Sequence, residues 1–306
     1  MELLHLRYFK IIAELGHMTK ASEILHVAQP SLSKVIRILE KELQVNLFDR
    51  VGKNIVLNEN GKILLKYTNH IFACLEDVKT ELCDINKQHE GTLTIAMHAA
   101  SKLLPEILSG FKKKHPNIRF AIVQHDNKSG EEMNCDLLIN STKQKITDDN
   151  VITLLEEEIL LAVPKDHPSA LRKRIRLEEV ATEAFISLQK GKDLSDITSS
   201  FCNDAGFEPN IILESDDPST IRGLISAGLG VAFLPAITWH GVADSNIKLL
   251  SISNINCKRY INASCRQGRY CSDSTKLFLD FVVDFLRTYL MKLNKNNSKI
   301  CIEIVF

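Results

Sequence analysis

The 306-residue sequence lacks the segments that would place it in a membrane or outside the cell. It contains no run of about eighteen apolar residues that would span a bilayer, and its N-terminus begins a charged amphipathic helix in place of a secretory signal. Its eight cysteines form no CxxC pair, a pattern typical of reduced thiols and not of a metal site. We therefore expect a cytoplasmic protein without a membrane, metal or cofactor partner.

The sequence also lacks the motifs of common catalytic and nucleotide-binding sites. It holds no GxGxxG, GxxxxGK[ST], HExxH or GxSxG, and Gly228-x-Gly230 follows a helical pattern where a nucleotide site needs a strand. The ten histidines are dispersed along the chain. The sequence predicts no catalytic residues, and we do not expect an enzyme.

Net charge gives no bias toward a nucleic-acid partner, because 38 lysines and arginines balance 38 aspartates and glutamates. Any binding to a polyanion must therefore rest on a local patch of positive charge.

The segment 18–42 predicts two short helices joined by a tight turn. Thr19 can cap the first helix, whose apolar face would be formed by Ala21, Ile24 and Leu25. The turn is expected at 26–28, and Pro30 suits the first turn of the second helix because its missing N–H costs nothing there.

The second helix has two distinct faces at three- and four-residue spacing. The buried face is predicted to comprise Leu32, Val35, Ile36, Leu39 and Leu43, and the outer face Ser31, Ser33, Lys34, Arg37 and Lys41. Hydroxyls and long cations on one stripe supply hydrogen-bond donors for base edges and phosphates, as in a recognition helix. An ordinary solvated amphipathic helix is the alternative.

The flanking segments favour the recognition helix. Apolar residues at 3, 6, 9, 12 and 13 predict a preceding helix, and the segments 47–50 and 53–58 predict a small basic hairpin, or wing. The stretch LRYFKIIAELGHMTKASEILHVAQPSLSKVIRILEKELQVNLFDR resembles the winged helix-turn-helix of LysR-type transcriptional regulators. His17, Met18 and Asn58 depart from that family's usual serine, phenylalanine and threonine.

The resemblance implies a set of DNA-binding residues in this sequence. Gln29, Ser33 and Lys34 are expected to contact base edges or nearby backbone, and Arg37, Arg50 and Lys53 to contact phosphate. The full predicted DNA-binding set is Thr19, Gln29, Pro30, Ser31, Ser33, Lys34, Arg37, Arg50 and Lys53.

One long helix is predicted from Asn58, as its cap, to about Lys87. Its apolar residues recur every three or four positions at 64, 67, 71, 75, 78, 82 and 85, close to a coiled-coil seam. About thirty residues at about 1.5 Å each give a rod of about 45 Å. We expect this stripe to mediate homodimerisation, as the resemblance implies; packing against the chain's own globular domain is the alternative.

From Thr92 onward, strand-like and helix-like segments alternate, which predicts an α/β domain with two lobes and a cleft. Strands are predicted at 92–97, 118–123, 135–140, 158–164, 184–188, 210–215, 230–235 and 260–265, and helices at 102–115, 194–205, 218–228 and 274–292. A solute-binding protein with an N-terminal assembly module would share this pattern.

This region also resembles the LysR effector domain, which is similar to a periplasmic binding protein. The matching stretches are LLPEILSGFKKKHPNIRF, VPKDHP, AGFEPNIILES and DDPSTIRGLISAGLGVAFLP. The segment QHDNKSGEEMNC after Val123 is shorter than usual, near the minimum for a parallel crossover. A ligand is expected beyond the carboxyl ends of the strands.

The predicted effector-binding residues are His98, Ala99, Ser101, Ser187 and Phe233. His98 stands where the family often has a serine or threonine that contacts a carboxylate effector. Protonated histidine can hold an anion, although simple packing of His98 is the alternative. Cys202 lies near the position of a disulfide-forming cysteine in a peroxide-sensing branch of the family. Asp193 stands where that branch has the partner cysteine, so Cys202 is expected to be a buried packing residue.

The predicted fold class is multidomain. An all-α winged helix-turn-helix spans 1–58, a linker and dimerisation helix 59–90, an α/β effector domain with two subdomains 91–292, and a tail 293–306. The first lobe would comprise about 91–163 and 266–292, the second about 164–265, and the tail either a disordered segment or an added edge strand.

The predicted function is transcription regulation of the LysR type, in which a small-molecule effector modulates promoter binding. The expected partners are double-stranded promoter DNA, a small-molecule effector such as a carboxylate or other anion, a second copy of the chain as homodimer or homotetramer, and RNA polymerase.

Overall fold

The structure is a computed structural model that describes residues 1–51, 54–85, 92–123, 135–239, 245–265 and 270–296. The chain forms two compact units, Met1–Leu82 and Cys83–Phe306. The predicted wing residue Lys53, much of the short segment after Val123 and the tail from 297 lie outside the described residues.

The first unit contains three short helices, a hairpin and most of a long helix. These are α1 (Leu3–Leu15), α2 (Met18–Leu25), α3 (Gln29–Leu43), β1 (Phe48–Val51), β2 (Asn54–Leu57) and α4 (Glu59–Ile85). Its core consists of buried apolar residues from the three helices and the start of the wing: Leu6, Phe9, Ile12, Ala21, Leu32, Ile36, Leu39 and Leu47. The predicted helix-turn-helix and hairpin are confirmed.

The turn between α2 and α3 is as tight as predicted. His26 adopts a left-handed conformation with φ 53°, and its N–H donates to the carbonyls of Ser22 and Glu23 at the end of α2. The next helix begins after Ala28, with Pro30 in its first turn. A left-handed residue at this position reverses the chain within three residues.

Three details of the predicted helix pair are wrong. Thr19 does not cap α2; it lies inside the helix, and His17 is the N-cap, with its Nδ1 accepting from the Lys20 N–H at 3.5 Å. Ile24 and Leu43 are exposed, at 58% and 36%. Each lies in the last turn of its helix, where the core no longer covers the predicted apolar face.

The predicted cap of the long helix is confirmed. The Asn58 side-chain oxygen accepts from the Gly61 N–H at 3.0 Å, satisfying one of the N–H groups that a helix start leaves open. Gly61 itself faces the wing: a Cβ there would lie 2.1 Å from the Leu47 carbonyl oxygen. Only glycine allows α4 and the wing to approach this closely.

The second unit is an α/β structure. Its strands are β3 (Thr92–Met97), β4 (Arg119–Val123), β5 (Leu137–Thr142), β6 (Val151–Pro164), β7 (Arg174–Ile175), β8 (Ala184–Leu188), β9 (Asn210–Ser215), β10 (Ala232–Pro235), β11 (Ile247–Ile252) and β12 (Lys258–Cys265). Its helices are α5 (Leu104–Lys114), α6 (Asp193–Asp204), α7 (Pro218–Ser226) and α8 (Asp273–Asn296), with 3₁₀ turns at Ser101–Leu103 and Leu177–Val180.

The strands form an eight-stranded sheet of order β4-β3-β5-β12-β6-β11-β7, with β10 also on β6, and a parallel pair β8-β9. Strand β6 joins two lobes, since residues 151–158 pair with β12 and residues 159–164 pair with β10 and β11. Each lobe has its own apolar core, one around Phe111 and Phe278 and the other around Phe185 and Phe201. The predicted two-lobed α/β architecture is confirmed.

Strand bounds differ from the predictions where strands cross between lobes. Strand β6 begins at Val151, seven residues before the predicted start, because its first half also pairs with β12. Strands β7 and β11 were not predicted. Strand β12 pairs with β5 along residues 260–265 and so belongs to the sheet of the first lobe, although the sequence analysis assigned it to the second. Helix α8 continues to Asn296, into the predicted tail.

Candidate DNA interface and ligand cleft

The outer face of α3 is open to solvent. Gln29, Pro30, Ser31, Lys34 and Arg37 are all exposed, and Ser33 is half-buried beside them. Neither Lys34 nor Arg37 forms an ion pair with a residue in the described part of the chain. The two cations are three residues apart, so they point to the same side of the helix.

Acidic side chains near this face are engaged elsewhere. Glu40 accepts the Leu47 N–H at 2.9 Å and so holds the start of the wing, while Glu42 pairs with the N-terminal ammonium. Glu14 lies 3.8 Å from Lys10 on α1. The positive charge of Lys34 and Arg37 is therefore not neutralised by these carboxylates.

The wing is held beside the helices by backbone hydrogen bonds. The Ile55 N–H donates to Gly16 O at 3.4 Å, just after the end of α1, while within the wing the Asn58 N–H donates to Leu47 O at 3.2 Å. Arg50 pairs through its backbone with Ile55. The tip of the wing, including the predicted phosphate contact Lys53, lies outside the described residues. Thr19 is exposed on α2.

An open cleft lies in the second unit between the two lobes, with about 690 Å³ of empty space that is continuous with solvent. His98, Ala99 and Ser101, which follow β3, line its first-lobe side. The other walls include five polar or aromatic residues outside the predicted effector-binding set: Lys192, Asp193, Asp216, Trp239 and Arg259. Three of the five predicted effector-binding residues therefore share one cleft.

The other two predicted residues, Ser187 and Phe233, line a separate cavity inside the second lobe. This cavity has about 390 Å³ of empty space and is mostly apolar. The Ser187 hydroxyl lies 3.3 Å from the Ser195 hydroxyl, so it is already engaged within that lobe. Leu188, Leu194 and Trp239 line both cavities, which places the second cavity directly behind the cleft.

Arg259 contributes a buried cation at the base of the cleft. It is 2% exposed on β12, and its Nε donates to Glu157 Oε1 at 2.8 Å. Glu157, on β6, also accepts the N–H groups of Ile237 and Thr238 at 3.0 and 2.8 Å. Full hydrogen bonding satisfies both charges, as burial requires. The sequence signal that could have identified this pair is the presence of the charged residues Glu157 and Arg259 within strands that are otherwise mostly apolar.

Asp193 connects the two lobes at the edge of the cleft. Its Oδ2 accepts from the Ser141 N–H of β5 at 2.7 Å, while Asp193 itself is the first residue of α6 in the second lobe. A carboxylate at a helix N-terminus is also stabilised by the helix dipole.

Two further cations face each other across the lobes. Partial burial, and after it the Arg222 guanidinium, lower the pKa of Lys102. Lys102 lies in the 3₁₀ turn after β3, and Arg222 lies in α7. Lys102 therefore lies near a second cation, while the walls of the cleft carry charges of both signs, Lys192 and Arg259 against Asp193 and Asp216.

Other expected features can be placed directly. Cys202 is fully buried in α6, as expected for a packing residue, and burial raises the pKa of its thiol to about 12. Among the described residues, no group of three or more histidine, cysteine or acidic side chains is arranged to hold a metal ion. Within the same residues, no helix combines the length and apolar character of a membrane span.

Two family models match the chain. Residues 3–62 match the model described as bacterial regulatory helix-turn-helix protein, lysR family, and residues 86–287 match the LysR substrate binding domain. One match lies in the first compact unit and the other in the second.

Curated relatives match over nearly their whole length. The HTH-type transcriptional regulator YybE of Bacillus subtilis (strain 168) is 33% identical over 292 residues, covering 92% of this chain and 98% of the relative. The transcriptional dual regulator GltC of the same organism is 32% identical over 292 residues, covering 93% and 97%.

Solved structures share the fold. The crystal structure of CbnR, a LysR family transcriptional regulator, has a TM-score of 0.64 at 20% identity and covers 94% of this chain and 99% of CbnR. The structure of full-length CbnR with its target DNA gives a TM-score of 0.63 at 20% identity, covering 94% and 100%.

Proposed function

Because the chain belongs to the LysR family of bacterial regulatory helix-turn-helix proteins, we propose that it binds promoter DNA through α3 and responds to a small-molecule effector in the interlobe cleft. The exposed cationic face of α3 is the observation that carries this proposal. Exposed Lys34 and Arg37, next to the hydroxyl of Ser31, provide the charge and hydrogen-bond donors that a major groove accepts.

In this proposal the DNA contacts divide into base and phosphate contacts. Gln29, Ser33 and Lys34 contact base edges or adjacent backbone, and Arg37 contacts phosphate. Pro30, Ser31 and Thr19 border the same surface, and Arg50 and Lys53 of the wing add phosphate contacts. Phosphate contacts set the salt dependence of binding, whereas base contacts set sequence preference.

We further propose that α4 joins two copies of the chain. Tyr67, Val78, Leu82 and Ile85 on its predicted stripe are 60%, 55%, 55% and 70% exposed in the single chain. A row of large apolar side chains on a helix of 27 residues is an unfavourable surface in water and is stabilised by a second helix. A dimer, or a tetramer of two such dimers, would present two copies of α3 to a partly palindromic site.

The effector is proposed to be a carboxylate or another small anion. Partial burial, and after it the nearby Arg222 guanidinium, lower the pKa of Lys102, and a bound anion would favour the charged form of that lysine. His98 and Ser101 line the first-lobe wall of the cleft, where an imidazole N–H and a hydroxyl can donate hydrogen bonds to an anion. Ser187 and Phe233 would act from the second cavity behind the cleft.

The remaining assignments follow from this proposal. The DNA-binding domain is placed at 1–58, the dimerisation helix at 59–90 and the effector domain at 91–292, with a cytoplasmic location and RNA polymerase as a further partner. An effector that favours one arrangement of the lobes by about 1 to 3 kcal/mol would change promoter occupancy about 5- to 150-fold.

The test is a fluorescence-anisotropy titration of the full chain with promoter DNA upstream of its own gene. Arg37→Ala is expected to weaken binding to all sequences and to reduce the slope of log affinity against log salt by about one. Lys34→Ala is expected to cost about 1 to 3 kcal/mol, concentrated at one or two base positions. Lys165→Ala, which removes an exposed charge from the second unit, is the control.

The two variants separate the proposed roles. If Arg37→Ala changed affinity at a single base position only, Arg37 would read sequence. If both variants bound as tightly as the control, the assignment of α3 as the DNA-contacting helix would be wrong.

A thermal-shift series on the full chain tests the effector proposal. Small carboxylates at about one hundred times their dissociation constant should stabilise the protein by about 2.7 kcal/mol. His98→Ala should remove this stabilisation while leaving DNA binding in the absence of effector unchanged. Stabilisation by neutral sugars, with none by carboxylates, would contradict the anionic class.

A further inference from the structure

Cys265 and Cys271 place two sulfur atoms in direct contact in the first lobe. Their Sγ atoms are 2.7 Å apart, about 0.7 Å more than the covalent S–S bond of about 2.05 Å. Cys265 is the last residue of β12, and Cys271 lies two residues before α8. Both side chains are half-buried, so solvent reaches them without unfolding.

We propose that Cys265 and Cys271 form a reversible disulfide by exchange with a low-molecular-weight disulfide. This site is independent of the DNA surface and of the interlobe cleft. It also differs from Cys202, which is fully buried in α6, whereas Cys265 and Cys271 are only half-buried.

The electrostatics of the pair assign different roles to the two sulfurs. The hydrogen bond from the Cys265 thiol lowers the pKa of Cys271 to about 7, against the opposing effect of burial, and the Lys276 ammonium lowers it further. The carboxylates of Asp136 and Asp273 act in the opposite direction. The same hydrogen bond raises the pKa of Cys265. Cys271 is therefore the sulfur that carries negative charge at neutral pH and attacks first.

The exchange balances in two steps. The Cys271 thiolate attacks one sulfur of the small disulfide, the S–S bond of that molecule breaks, and one small thiolate leaves from a mixed disulfide. Cys265 then loses its proton and attacks the Cys271 sulfur, which releases the second small thiolate and forms the Cys265–Cys271 bond. The two protein thiols lose two electrons and two protons, and the small disulfide becomes two thiols.

The position of the pair links it to two elements of the second unit. Cys265 is paired with Leu137, the first residue of β5, and the N–H of Asp273, at the start of α8, donates to Asp84 at 3.0 Å. A covalent bond here would fix the end of β12 to the start of α8.

The test treats the folded full chain with oxidised glutathione, quenches with acid and alkylates the remaining thiols after denaturation. Labelled thiols should fall by two, from the eight in the sequence to six, and dithiothreitol should restore them. Trypsin cleaves after Arg266 and Arg269, between the two cysteines, so the bond should appear as two peptides joined by a disulfide.

Single substitutions test the order of attack. Cys265→Ser should leave glutathione attached to Cys271, because the second step is blocked, whereas Cys271→Ser should greatly reduce modification at Cys265. Cys74→Ser, a half-buried cysteine of α4, should behave as the wild type. Circular dichroism verifies that each variant is folded. If a variant does not fold, the peptide map of the wild-type chain still tests whether the disulfide forms.

Three results would overturn the proposal. These are eight labelled thiols after oxidation of the folded chain, a joined peptide pair that involves other cysteines, and glutathione that stays on Cys271 in the wild type. Cys202 and Cys257 serve as internal references, since burial raises the pKa of both thiols to about 12 and they should remain unmodified in the folded chain.

Discussion

Arg259 and Glu157 form an ion pair that is almost completely removed from solvent, at 2% and 1% exposure, where β12 and β6 cross between the lobes. Thr238 bridges the two, accepting from Arg259 and donating to Glu157, both at 2.9 Å. The pair thus ties both crossing strands to the segment that follows β10. The ion pair therefore helps to fix the positions of the strands at the base of the cleft.

Glu157→Leu is expected to destabilise the protein by about 3 to 5 kcal/mol, because it leaves the Arg259 charge buried without its partner. Urea denaturation of the full chain measures this loss. Glu156→Leu breaks a pair with the more exposed Lys258 and should cost about 1 kcal/mol or less. An equal loss in both variants would show that the buried charge has no special role, and a double variant that also carries Arg259→Met should recover much of the stability.

Gly61→Ala is expected to destabilise the first unit by about 1 to 3 kcal/mol, because the added carbon would meet the Leu47 carbonyl oxygen at 2.1 Å. The melting temperature and the affinity for DNA should both fall, because the added carbon forces the wing and α4 apart. Gly223→Ala is the matched control in α7, where an added carbon meets nothing within 4 Å. That change should be neutral or stabilising by up to about 1 kcal/mol.

Asp217→Ala is expected to cost about 1 kcal/mol at neutral pH through loss of the α7 cap. The Asp217 carboxylate accepts the N–H groups of Ser219 and Thr220 at 3.2 and 2.8 Å, and hydrogen bonds from the Thr220 hydroxyl and these N–H groups lower its pKa. Asp216→Ala, which changes the adjacent non-capping carboxylate, is the control.

The pH dependence of this cap has a defined sign. Because the pKa of Asp217 is lower in the folded state, its charged form contributes stability above the unfolded pKa of about 4. That contribution is lost as the pH falls through the folded pKa. Unfolding free energies of wild type and Asp217→Asn should therefore converge as the pH is lowered from 7 toward 3, and a constant difference would contradict the assignment.

Leu82→Arg is expected to weaken the proposed dimer, because it places a charge in the apolar stripe of α4, where Leu82 is 55% exposed in the single chain. Analytical ultracentrifugation should show a shift toward monomer at low micromolar concentration. Thr80→Arg, at an exposed position on the opposite side of the helix from the stripe, should leave the dimer intact. If both variants sedimented as the wild type, the stripe would not form the interface.

Local patterns predicted most of the first unit, because its helices are amphipathic and joined by short turns. The errors at Ile24 and Leu43 arose because an apolar residue at the correct period is buried only if another element lies opposite it. The cap of α2 was missed because His17 replaces the usual hydroxyl or carboxylate at that position.

The candidate ligand site was harder to predict because its walls come from distant segments. His98 and Ser101 were identified from the strand that precedes them, but Arg259 and Trp239 reach the same cleft through strand pairing at long sequence separation. Ser187, like His98, was identified because it lies near the carboxyl end of a predicted strand. Its hydroxyl nevertheless faces Ser195 in a separate cavity. The orientation of a side chain at a strand end depends on packing that a single sequence does not specify.

The course of β12 has a mechanical consequence. Its second residue, Arg259, reaches the base of the cleft, and its last residue, Cys265, touches the sulfur that precedes α8. Six residues of extended chain span about 20 Å and resist stretching. A ligand that contacts Arg259 and a cross-link at Cys265 would therefore act on opposite ends of the same strand.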